Sequence, residues 1–362
     1  MFDKYTLRLC EEITQSPETA RQMGSLFEET VDSIYFGGGT PTLLDVAQLE
    51  NVFVTIRQNF DLQQDAEITV ECAPGTLSEQ IITGFVRCGV NRVSLGVQSF
   101  IDKEAASVGR LHKRSTVLED IARLRSAGIS NINVDLIAGL PHQTRESWEF
   151  SLCELIAADP PHASVYMLEV DEDSRLGREL IAGGQKYHAH HVPDDDLIAE
   201  MYEIASERLN AAGIEQYEIS NFARAGFESK HNLKYWTRQP YLGFGVDAHS
   251  MLWSEAGAVR FSNSDSLDKY LARSPKEQSR ISIESALEEA FFLGLRLNRG
   301  VSLQELRGEF SDAAVEEYAA GIPDLVDLGL VEQSGNTIRL TSMGRLLSNE
   351  VFERFISSDV AI

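Results

Sequence analysis

The amino-acid sequence has little positive charge and no long apolar run, and each absence excludes a class of protein. Its 362 residues include 32 Lys and Arg against 56 Asp and Glu, a formal net charge of −24. Binding to nucleic acids or anionic membranes depends on clustered basic side chains, so neither partner is expected. No apolar run approaches the roughly 20 residues that cross a bilayer, and the N-terminus lacks the pattern of a signal peptide. We therefore predict a cytoplasmic protein without a transmembrane segment.

Cysteine is scarce, and its spacing excludes the usual clustered sites. The four cysteines, Cys10, Cys72, Cys88 and Cys153, lie far apart along the chain. No two of them form a CxxC pair or belong to a disulfide framework. We interpret them as reduced structural thiols and predict that this chain supplies no metal ligands.

Short β-rich segments alternate with helical patterns through the first half of the chain. The predicted strands are 33–36, 66–71, 92–98, 131–137 and 163–170. The predicted helices are 43–59, 78–88, 115–127 and 144–158. Ser115 is expected to cap the third helix and Gly128 to end it. Alternation of this kind predicts parallel βαβ units.

Polar or glycine residues stand at or near the ends of the predicted strands, namely residues 37–40, Glu71, Gln98 and Asp135. Buried parallel strands are expected to be apolar throughout. In a full or partial βα barrel, such exceptions converge on the mouth formed by the carboxyl ends of the strands. The alternative is that each polar side chain only satisfies a neighbouring loop backbone. Their presence on successive strands favours a shared site.

The glycine run at residues 37–39 lacks the lysine of a GxxxxGK[ST] loop and the spacing of GxGxxG, so nucleotide phosphate binding is weakly supported. The same backbone could hold a small zwitterion. Glu71 could then pair with an ammonium group, and Arg110 could pair with a carboxylate through its guanidinium fork. These residues favour a ligand with an amino-acid moiety.

The remainder of the chain changes character. A helix predicted over 195–213 leads into a stretch rich in glycine and aromatic residues, and helical patterns dominate from residue 283. Residues 325–340 are similar to the helix and hairpin of a winged-helix module, for which the acidic balance favours packing or partner docking over DNA. We divide the chain into a core at 1–180, an extension at 181–275 and a mostly helical domain at 276–362.

Five motifs resemble those of oxygen-independent coproporphyrinogen III oxidases and their radical SAM relatives. They are IYFGGGTP at 34–41, ECAPGT at 71–76, RVSLGVQSF at 92–100, GRLH at 109–112 and NVDLIAGLP at 133–141. Two more motifs, YEISNFA at 217–223 and HNLKYW at 231–236, resemble the heme chaperone branch of this family, HemW. The HNxxYW element separates that branch from the oxidases.

The resemblance implies a partial βα barrel of the radical SAM type that binds S-adenosylmethionine across its strand ends. It implies that the methionyl part is held by Gly38, Gly39 and Thr40. It implies that the site is completed by four side chains, those of Glu71, Gln98, Arg110 and Asp135. It also implies that the backbone near Glu169 lies close to the adenine.

The chain departs from the family at its start. Family members end a first barrel strand in CxxxCxxC, whose thiolates hold a [4Fe–4S] cluster, and this motif is missing from the sequence together with that strand. Cys10 lies in the helix expected to follow the cluster loop and cannot replace three cysteines. Either the chain begins at an internal methionine of a longer protein, or its lineage has lost the cluster. We favour the first explanation, because the strand-end residues are so complete.

The HNxxYW element supplies candidate heme-binding residues. His231 and Tyr235 are four residues apart and would share a helical face, with Trp236 adjacent, while His249 is a second candidate. The alternative is an ordinary hydrogen-bonded histidine. We expect a chaperone that accepts heme and passes it to a partner apoprotein. The alternative functions are a radical SAM oxidase that decarboxylates a porphyrinogen, and an interaction protein without a cofactor.

Overall fold

The structure is a computed structural model that describes residues 1–168, 178 and 189–356. The chain forms two compact units. The first unit comprises Met1–Asp32, Ala47–Ala66 and Ser229–Ile362, and the second comprises Ser33–Val46 and Glu67–Glu228. The division into domains at 1–180, 181–275 and 276–362 stays a prediction. Among the described residues, no helix combines the length and the apolar character needed to cross a membrane.

The described strands form three sheets. In chain order the strands are β1 Thr30–Phe36, β2 Asp61–Cys72, β3 Arg92–Gln98, β4 Asn131–Ala138, β5 His162–Met167, β6 Glu215–Gln216, β7 Asn221–Ala223, β8 His249–Ser254, β9 Gly257–Ser262, β10 Glu277–Ile281, β11 Val301–Ser302, β12 Val331–Ser334 and β13 Thr337–Leu340. The largest sheet has the order β1-β2-β3-β4-β5-β7-β6. Strands β2 to β5 are parallel, and β7 and β6 extend the sheet in antiparallel fashion.

Helices follow most strands of the large sheet and dominate the C-terminal part. They are α1 Phe2–Thr14, α2 Ser16–Gln22, α3 Val46–Asn59, α4 Glu79–Cys88, α5 Asp102–Ser107, α6 Arg114–Ser126, α7 Arg145–Ala158, α8 Asp195–Ala211, α9 Lys230–Trp236, α10 Leu267–Leu271, α11 Ile283–Leu295, α12 Leu303–Glu309, α13 Asp312–Ala319, α14 Ile322–Asp327, α15 Ser342–Leu346 and α16 Ser348–Phe352. The alternation of parallel strands and helices confirms the predicted partial βα barrel. The antiparallel strands β6 and β7 were not predicted.

The capping prediction for α6 is wrong. The helix begins at Arg114, so that Ser115 lies inside its first turn. The backbone N–H of Arg114 donates instead to Asp102 Oδ1 at 2.8 Å, and a carboxylate brought from α5 takes the place of a local cap. The predicted end is right, because Gly128 has a φ of +91° just beyond the helix. By contrast, α7 has a local capping box formed by Thr144 and Ser147.

The strands of the large sheet are not apolar throughout, contrary to the expectation for buried parallel strands. One face is apolar and fully buried, with Val93, Leu95, Ile132, Val134 and Val165 all at 0% exposure. The residues between them are polar, because side chains of a strand alternate between its two faces. On adjacent strands they form register rows that include Glu71, Ser94, Asn133 and His162. The parallel strands therefore present a polar face along their length, as well as polar ends.

The C-terminal part contains the helix and hairpin expected at residues 325–340. Helix α14 precedes β12, and β12 pairs with β13 through a turn in which Gly335 has a φ of +60°. The short strand β11 adds a third strand beside β13. The buried apolar residues of the helix and hairpin include Leu325, Val331 and Ile338, each no more than 2% exposed.

Candidate functional site

The glycine loop after β1 is shaped by a contact between Tyr35 and Glu71. The Tyr35 hydroxyl donates to Glu71 Oε1 at 2.6 Å. A Cβ at Gly37 would lie 2.5 Å from Tyr35 Cε1 and 2.9 Å from Glu71 Oε1, closer than real Cβ atoms approach. Position 37 therefore requires glycine for a steric reason.

The next two glycines are open and conformationally distinctive. Gly38 and Gly39 have φ angles of +76° and +154°, and no heavy atom of the described residues lies within 4 Å of a Cβ built on either. Residues other than glycine rarely adopt backbone conformations of this kind. Their peptide groups are exposed beside Glu71, and the loop continues through Thr40 into a short 3₁₀ turn at Pro41–Leu43. This is a backbone surface that a small ligand can approach closely.

Strand β3 ends in a bulge that aims Gln98 at the same region. The register between β3 and β4 shifts between Gly96 and Gln98, and Gln98 has a φ of +67°. A Cβ at Gly96 would lie 3.2 Å from Gln98 Nε2 and 3.7 Å from an Arg110 guanidinium nitrogen. Gly96 is also the register partner of Asp135. Bulges and left-handed non-glycine residues are concentrated at functional sites, so this geometry favours a binding role.

The groups that shift the pKa of Glu71 include other predicted site residues, which therefore lie close to it. Burial raises the pKa of Glu71, and the charge of Asp135 acts in the same direction. The hydrogen bonds from Tyr35 and from the Gly38 N–H oppose this rise, as does the positive charge of Arg110. Of the predicted binding residues, the structure thus brings Gly38, Glu71, Gln98, Arg110 and Asp135 into one neighbourhood.

The GRLH motif is anchored to the end of β3. His112 Nε2 lies 3.1 Å from the carbonyl oxygen of Val97, and the Arg110 N–H donates to Ala105 O at 3.0 Å. Burial lowers the pKa of His112, so that the neutral imidazole is favoured in this position. The motif therefore fixes the loop that delivers Arg110 to the site.

Asp135 is held by side chains that the sequence analysis did not single out. Its Oδ2 accepts from the Ser94 hydroxyl at 3.0 Å, and its Oδ1 accepts from Asn133 Nδ2 at 2.7 Å. Burial raises the pKa of Asp135, while hydrogen bonds from Ser164, Ser94 and Asn133 and the charge of Arg92 act in the opposite direction. Several donors converging on one carboxylate fix its orientation.

The sequence does contain a signal for Ser94 and Asn133, which is the alternation of polar and apolar residues along their strands. Residues 92–98 read RVSLGVQ and residues 131–135 read NINVD, with a polar residue or glycine at every second position. Period-two alternation predicts a strand with one polar face. None of Tyr35, Ser94, Asn133 and His162 is the last residue of its strand, so a pattern of polar strand ends does not reveal them.

The HNxxYW residues lie on α9, as predicted. The rings of His231 and Tyr235 meet edge to face with centroids 4.9 Å apart, and Tyr235 meets Tyr241 in the same manner at 4.6 Å. Backbone hydrogen bonds between Tyr241 and Met251, at 2.8 and 3.0 Å, fix Tyr241 beside β8. Burial raises the pKa of Tyr235 to about 12, so this phenol remains neutral at physiological pH. The three rings form an aromatic cluster that we call the α9 cluster.

Trp236 lies next to the α9 cluster and carries a cation on its ring. The Arg296 guanidinium carbon is 4.3 Å from the Trp236 ring centroid and 5.9 Å from that of Phe352. The indole Nε1–H of Trp236 is buried and has no acceptor among the described residues. A buried donor of this kind costs about 1–3 kcal/mol unless an acceptor is supplied.

His249 occupies a different setting from His231. It begins β8, and its side chain is 69% exposed. Its Nε2 lies 3.8 Å from Asp247 Oδ1. The imidazole of His249 therefore faces a carboxylate at the surface, whereas His231 packs against an aromatic ring.

One predicted site residue cannot be described, and the cluster that the family resemblance implies does not match the cysteines present. Glu169 lies outside the described residues. The donor set for a [4Fe–4S] cluster also does not fit: Cys10, Cys72 and Cys88 are buried on separate elements, and Cys153 is exposed. No group of three or more His, Cys, Asp or Glu within the described part of the chain could hold a metal ion.

Comparisons with known proteins agree with the architecture. The model of the radical SAM superfamily matches residues 12–152, and that of the HemN C-terminal domain matches residues 281–347. The solved structure of coproporphyrinogen III oxidase from Escherichia coli, a radical SAM enzyme, superposes with a TM-score of 0.81 at 24% identity. That similarity covers 98% of this chain and 83% of that chain. The fold is thus that of the radical SAM class of proteins.

Curated relatives narrow the class to a family. The heme chaperone HemW of Bacillus subtilis is 37% identical over 90% of this chain and 85% of its own length. That of Lactococcus lactis is 34% identical over 92% of this chain and 86% of its own length. The chain belongs to the HemW family of radical SAM proteins.

Proposed function

We propose that this protein is a heme chaperone that binds heme through α9 and its surroundings and passes it to a partner apoprotein. The observation that carries the proposal is the packing of His231 against Tyr235 within the HNxxYW element, with Tyr235 packed in turn against Tyr241. Its relatives of known name support the same function, because they are called heme chaperones and align with about nine-tenths of the chain. A cytoplasmic location is part of this proposal.

The chemistry of the α9 cluster suits a porphyrin. A heme presents a large apolar face, an iron that accepts an imidazole, and anionic propionates. His231 could serve as an iron ligand, and the aromatic rings could cover the macrocycle. The Trp236 N–H could donate to a heme oxygen, which would supply its missing acceptor, and Arg296 lies over the same ring. The residues present therefore fit heme.

We further propose that the strand-end site holds S-adenosylmethionine. The peptide groups of Gly38 and Gly39, with Thr40, would receive the methionyl part, Glu71 its ammonium and Arg110 its carboxylate. Gln98 and Asp135 would complete the site, with the backbone near Glu169 close to the adenine. When bound, S-adenosylmethionine supplies a reactive sulfonium. The residues described here bind and orient it, and Glu71 presents a buried negative charge to a cationic ligand.

Two binding experiments test the strand-end proposal. Arg110→Ala and Asp135→Ala should each weaken S-adenosylmethionine binding, measured by calorimetry. Loss of a hydrogen bond to a charged group costs about 1.5–3 kcal/mol, or about ten- to a hundredfold in affinity. Arg145→Ala is the matched control, because Arg145 is exposed and pairs only with Glu149 and Glu200 in the described structure. Unchanged affinity in both site variants, with folding verified, would exclude the proposed pocket.

The chaperone and oxidase functions differ in one assay. The protein should bind heme saturably, and it should leave coproporphyrinogen III unchanged when the two are incubated anaerobically with S-adenosylmethionine and a reductant. Decarboxylated products together with no saturable heme binding would contradict the chaperone proposal and favour the oxidase. Heme binding without decarboxylation is the expected outcome.

A further inference from the structure

A buried chain of hydrogen bonds runs from Tyr217 to Asp135 within the second unit. Tyr217 Oη lies 3.0 Å from His162 Nε2, and His162 Nδ1 lies 2.7 Å from Asn133 Oδ1. Asn133 Nδ2 in turn lies 2.7 Å from Asp135 Oδ1. The chain crosses the sheet, because Asn133 on β4 is the register partner of His162 on β5. It ends at a residue of the proposed binding site.

The carboxylate at the end of this chain determines the direction of every hydrogen bond in it. An ionised Asp135 can only accept, so Asn133 must turn its Nδ2 towards Asp135 and its Oδ1 towards His162. His162 Nδ1 must then carry a proton in order to donate to Asn133 Oδ1. A neutral His162 is left with a bare Nε2, which accepts from the Tyr217 hydroxyl. The orientation of the amide and the tautomer of the imidazole thus follow from one charge.

The surroundings of His162 favour the neutral imidazole. His162 is fully buried, and burial lowers its pKa well below the usual value, with the charge of Arg92 acting in the same direction. Two other charged residues near this chain are buried. Arg92, at the start of β3, is 2% exposed, and Glu218, which follows Tyr217 in sequence, is 0% exposed. The Tyr217 ring meets the imidazole edge to face with centroids 5.7 Å apart. Packing therefore holds both rings in position.

A second set of hydrogen bonds connects the YEISNFA motif at residues 217–223 to strand β5. The Ser164 hydroxyl donates to Asn221 Oδ1 at 2.8 Å, and Asn221 Nδ2 donates to Glu218. Strand β7 carries Asn221 and pairs with β5, opposite Ser164. The Ser164 oxygen in turn accepts from Asn133 Nδ2 at 3.0 Å, and the same amide donates to Asp135. A second route therefore links the motif to the carboxylate. The heme proposal gives no role to this motif.

We propose that His162 and Tyr217 are positioning residues for Asp135, with His162 locked as the Nδ1–H tautomer by a directed hydrogen-bond chain through Asn133. The chain holds the Asp135 carboxylate in one orientation before a ligand arrives, which lowers the cost of binding. The predicted effect on ligand binding rests on the proposed function of Asp135. The tautomer of His162 and its dependence on the residue at position 135 can be tested independently of that function.

The first test observes the tautomer directly. Nitrogen NMR of protein labelled with ¹⁵N-histidine should show one imidazole with a protonated Nδ1 and a bare Nε2 that does not titrate across neutral pH. The resonance is assigned to His162 by its loss in His162→Gln. If His162→Gln does not fold, the assignment comes from a shift of the same resonance in Tyr217→Phe. In Asp135→Asn the signal should move towards the Nε2–H form, because an amide at 135 allows Asn133 to turn. An Nε2–H or charged His162 in the wild type, or a tautomer unaffected by Asp135→Asn, would overturn the proposal.

The second test measures coupling to binding. Tyr217→Phe removes one hydroxyl with little change of volume and should weaken S-adenosylmethionine binding about two- to tenfold. In an Asp135→Asn background the same change should have little effect, because the carboxylate that the chain orients is gone. Equal effects in both backgrounds would show a general structural role and contradict positioning. No S-adenosylmethionine binding by any form, with the NMR result intact, would refute the binding site and leave the hydrogen-bond chain standing.

Discussion

A methyl group at position 37 would collide with the side chains that shape the proposed site. In Gly37→Ala the new Cβ would lie 2.5 Å from Tyr35 Cε1 and 2.9 Å from Glu71 Oε1. The Tyr35 ring would have to shift, and its 2.6 Å hydrogen bond to Glu71 would be disturbed. Forcing extra volume into a packed site costs about 1–3 kcal/mol of folding free energy. A weakened bond to the Glu71 carboxylate costs about 1.5–3 kcal/mol.

The experiment measures both quantities on the same variant. Urea unfolding should show the loss of stability, and calorimetry should show S-adenosylmethionine affinity reduced about tenfold or more. Gly308→Ala is the matched control, because Gly308 lies in a helix and no heavy atom of the described residues lies within 4 Å of the place its methyl group would take. There alanine should be neutral or stabilising by about 0.5–1 kcal/mol.

A double variant separates the steric mechanism from a general loop effect. In a Tyr35→Ala background the ring is absent, so adding Gly37→Ala should cost far less stability than it does in the wild type. The Glu71 carboxylate can still turn aside, because it ends a flexible side chain. An equal cost in both backgrounds, or no cost in the wild type, would refute the reasoning.

Three further predictions concern charge and capping. Because burial raises the pKa of Glu71 above its usual 4.5, S-adenosylmethionine affinity should be present at neutral pH and fall as the pH drops through the raised pKa. Calorimetry across this range should show a shallower fall for Glu71→Gln, in which only Asp135 still titrates at the site. Glu12→Ala should cost about 3–5 kcal/mol in urea unfolding, because it leaves the charge of Lys276, only 14% exposed, without its buried partner. Thr144→Ala should cost about 1 kcal/mol by loss of its capping box, whereas Ser115→Ala should cost about 0.5 kcal/mol or less; equal costs would contradict the capping assignment.

The sign of the Glu71 effect follows from linkage. A raised pKa means that the folded state binds the proton more readily than the unfolded chain does. The contribution of Glu71 to folding stability therefore increases as the pH falls through the raised pKa towards 4.5. Ligand affinity changes in the opposite direction, because an ammonium pairs only with the ionised carboxylate. Stability and affinity should move apart over the same pH range.

Much of the barrel and of the strand-end site could be predicted from sequence. The predicted strand at residues 92–98 has the observed bounds of β3. Because parallel strands share one edge at their carboxyl ends, Glu71, Gln98 and Asp135 could be expected to converge. His231 and Tyr235 could be paired because helix periodicity places residues four apart on one face.

The remaining features depend on tertiary contacts. Asn133 and His162 meet only because β4 and β5 adopt one particular register, which local patterns do not determine. The cap of α6 comes from Asp102, twelve positions before Arg114. Glu12 accepts from Tyr270 and Asn263, more than 250 residues away in sequence. Each of these contacts is formed by folding and leaves no short motif.

The most direct test of the heme proposal is a heme titration followed through the Soret band in three proteins. The wild type should bind heme saturably, His231→Ala should weaken binding about tenfold or more with a shifted Soret band, and the exposed His249→Ala should match the wild type. Loss of an iron ligand alters both affinity and spectrum. Absence of saturable binding in the wild type would contradict the proposed function, and an identical titration for His231→Ala would contradict its role as ligand.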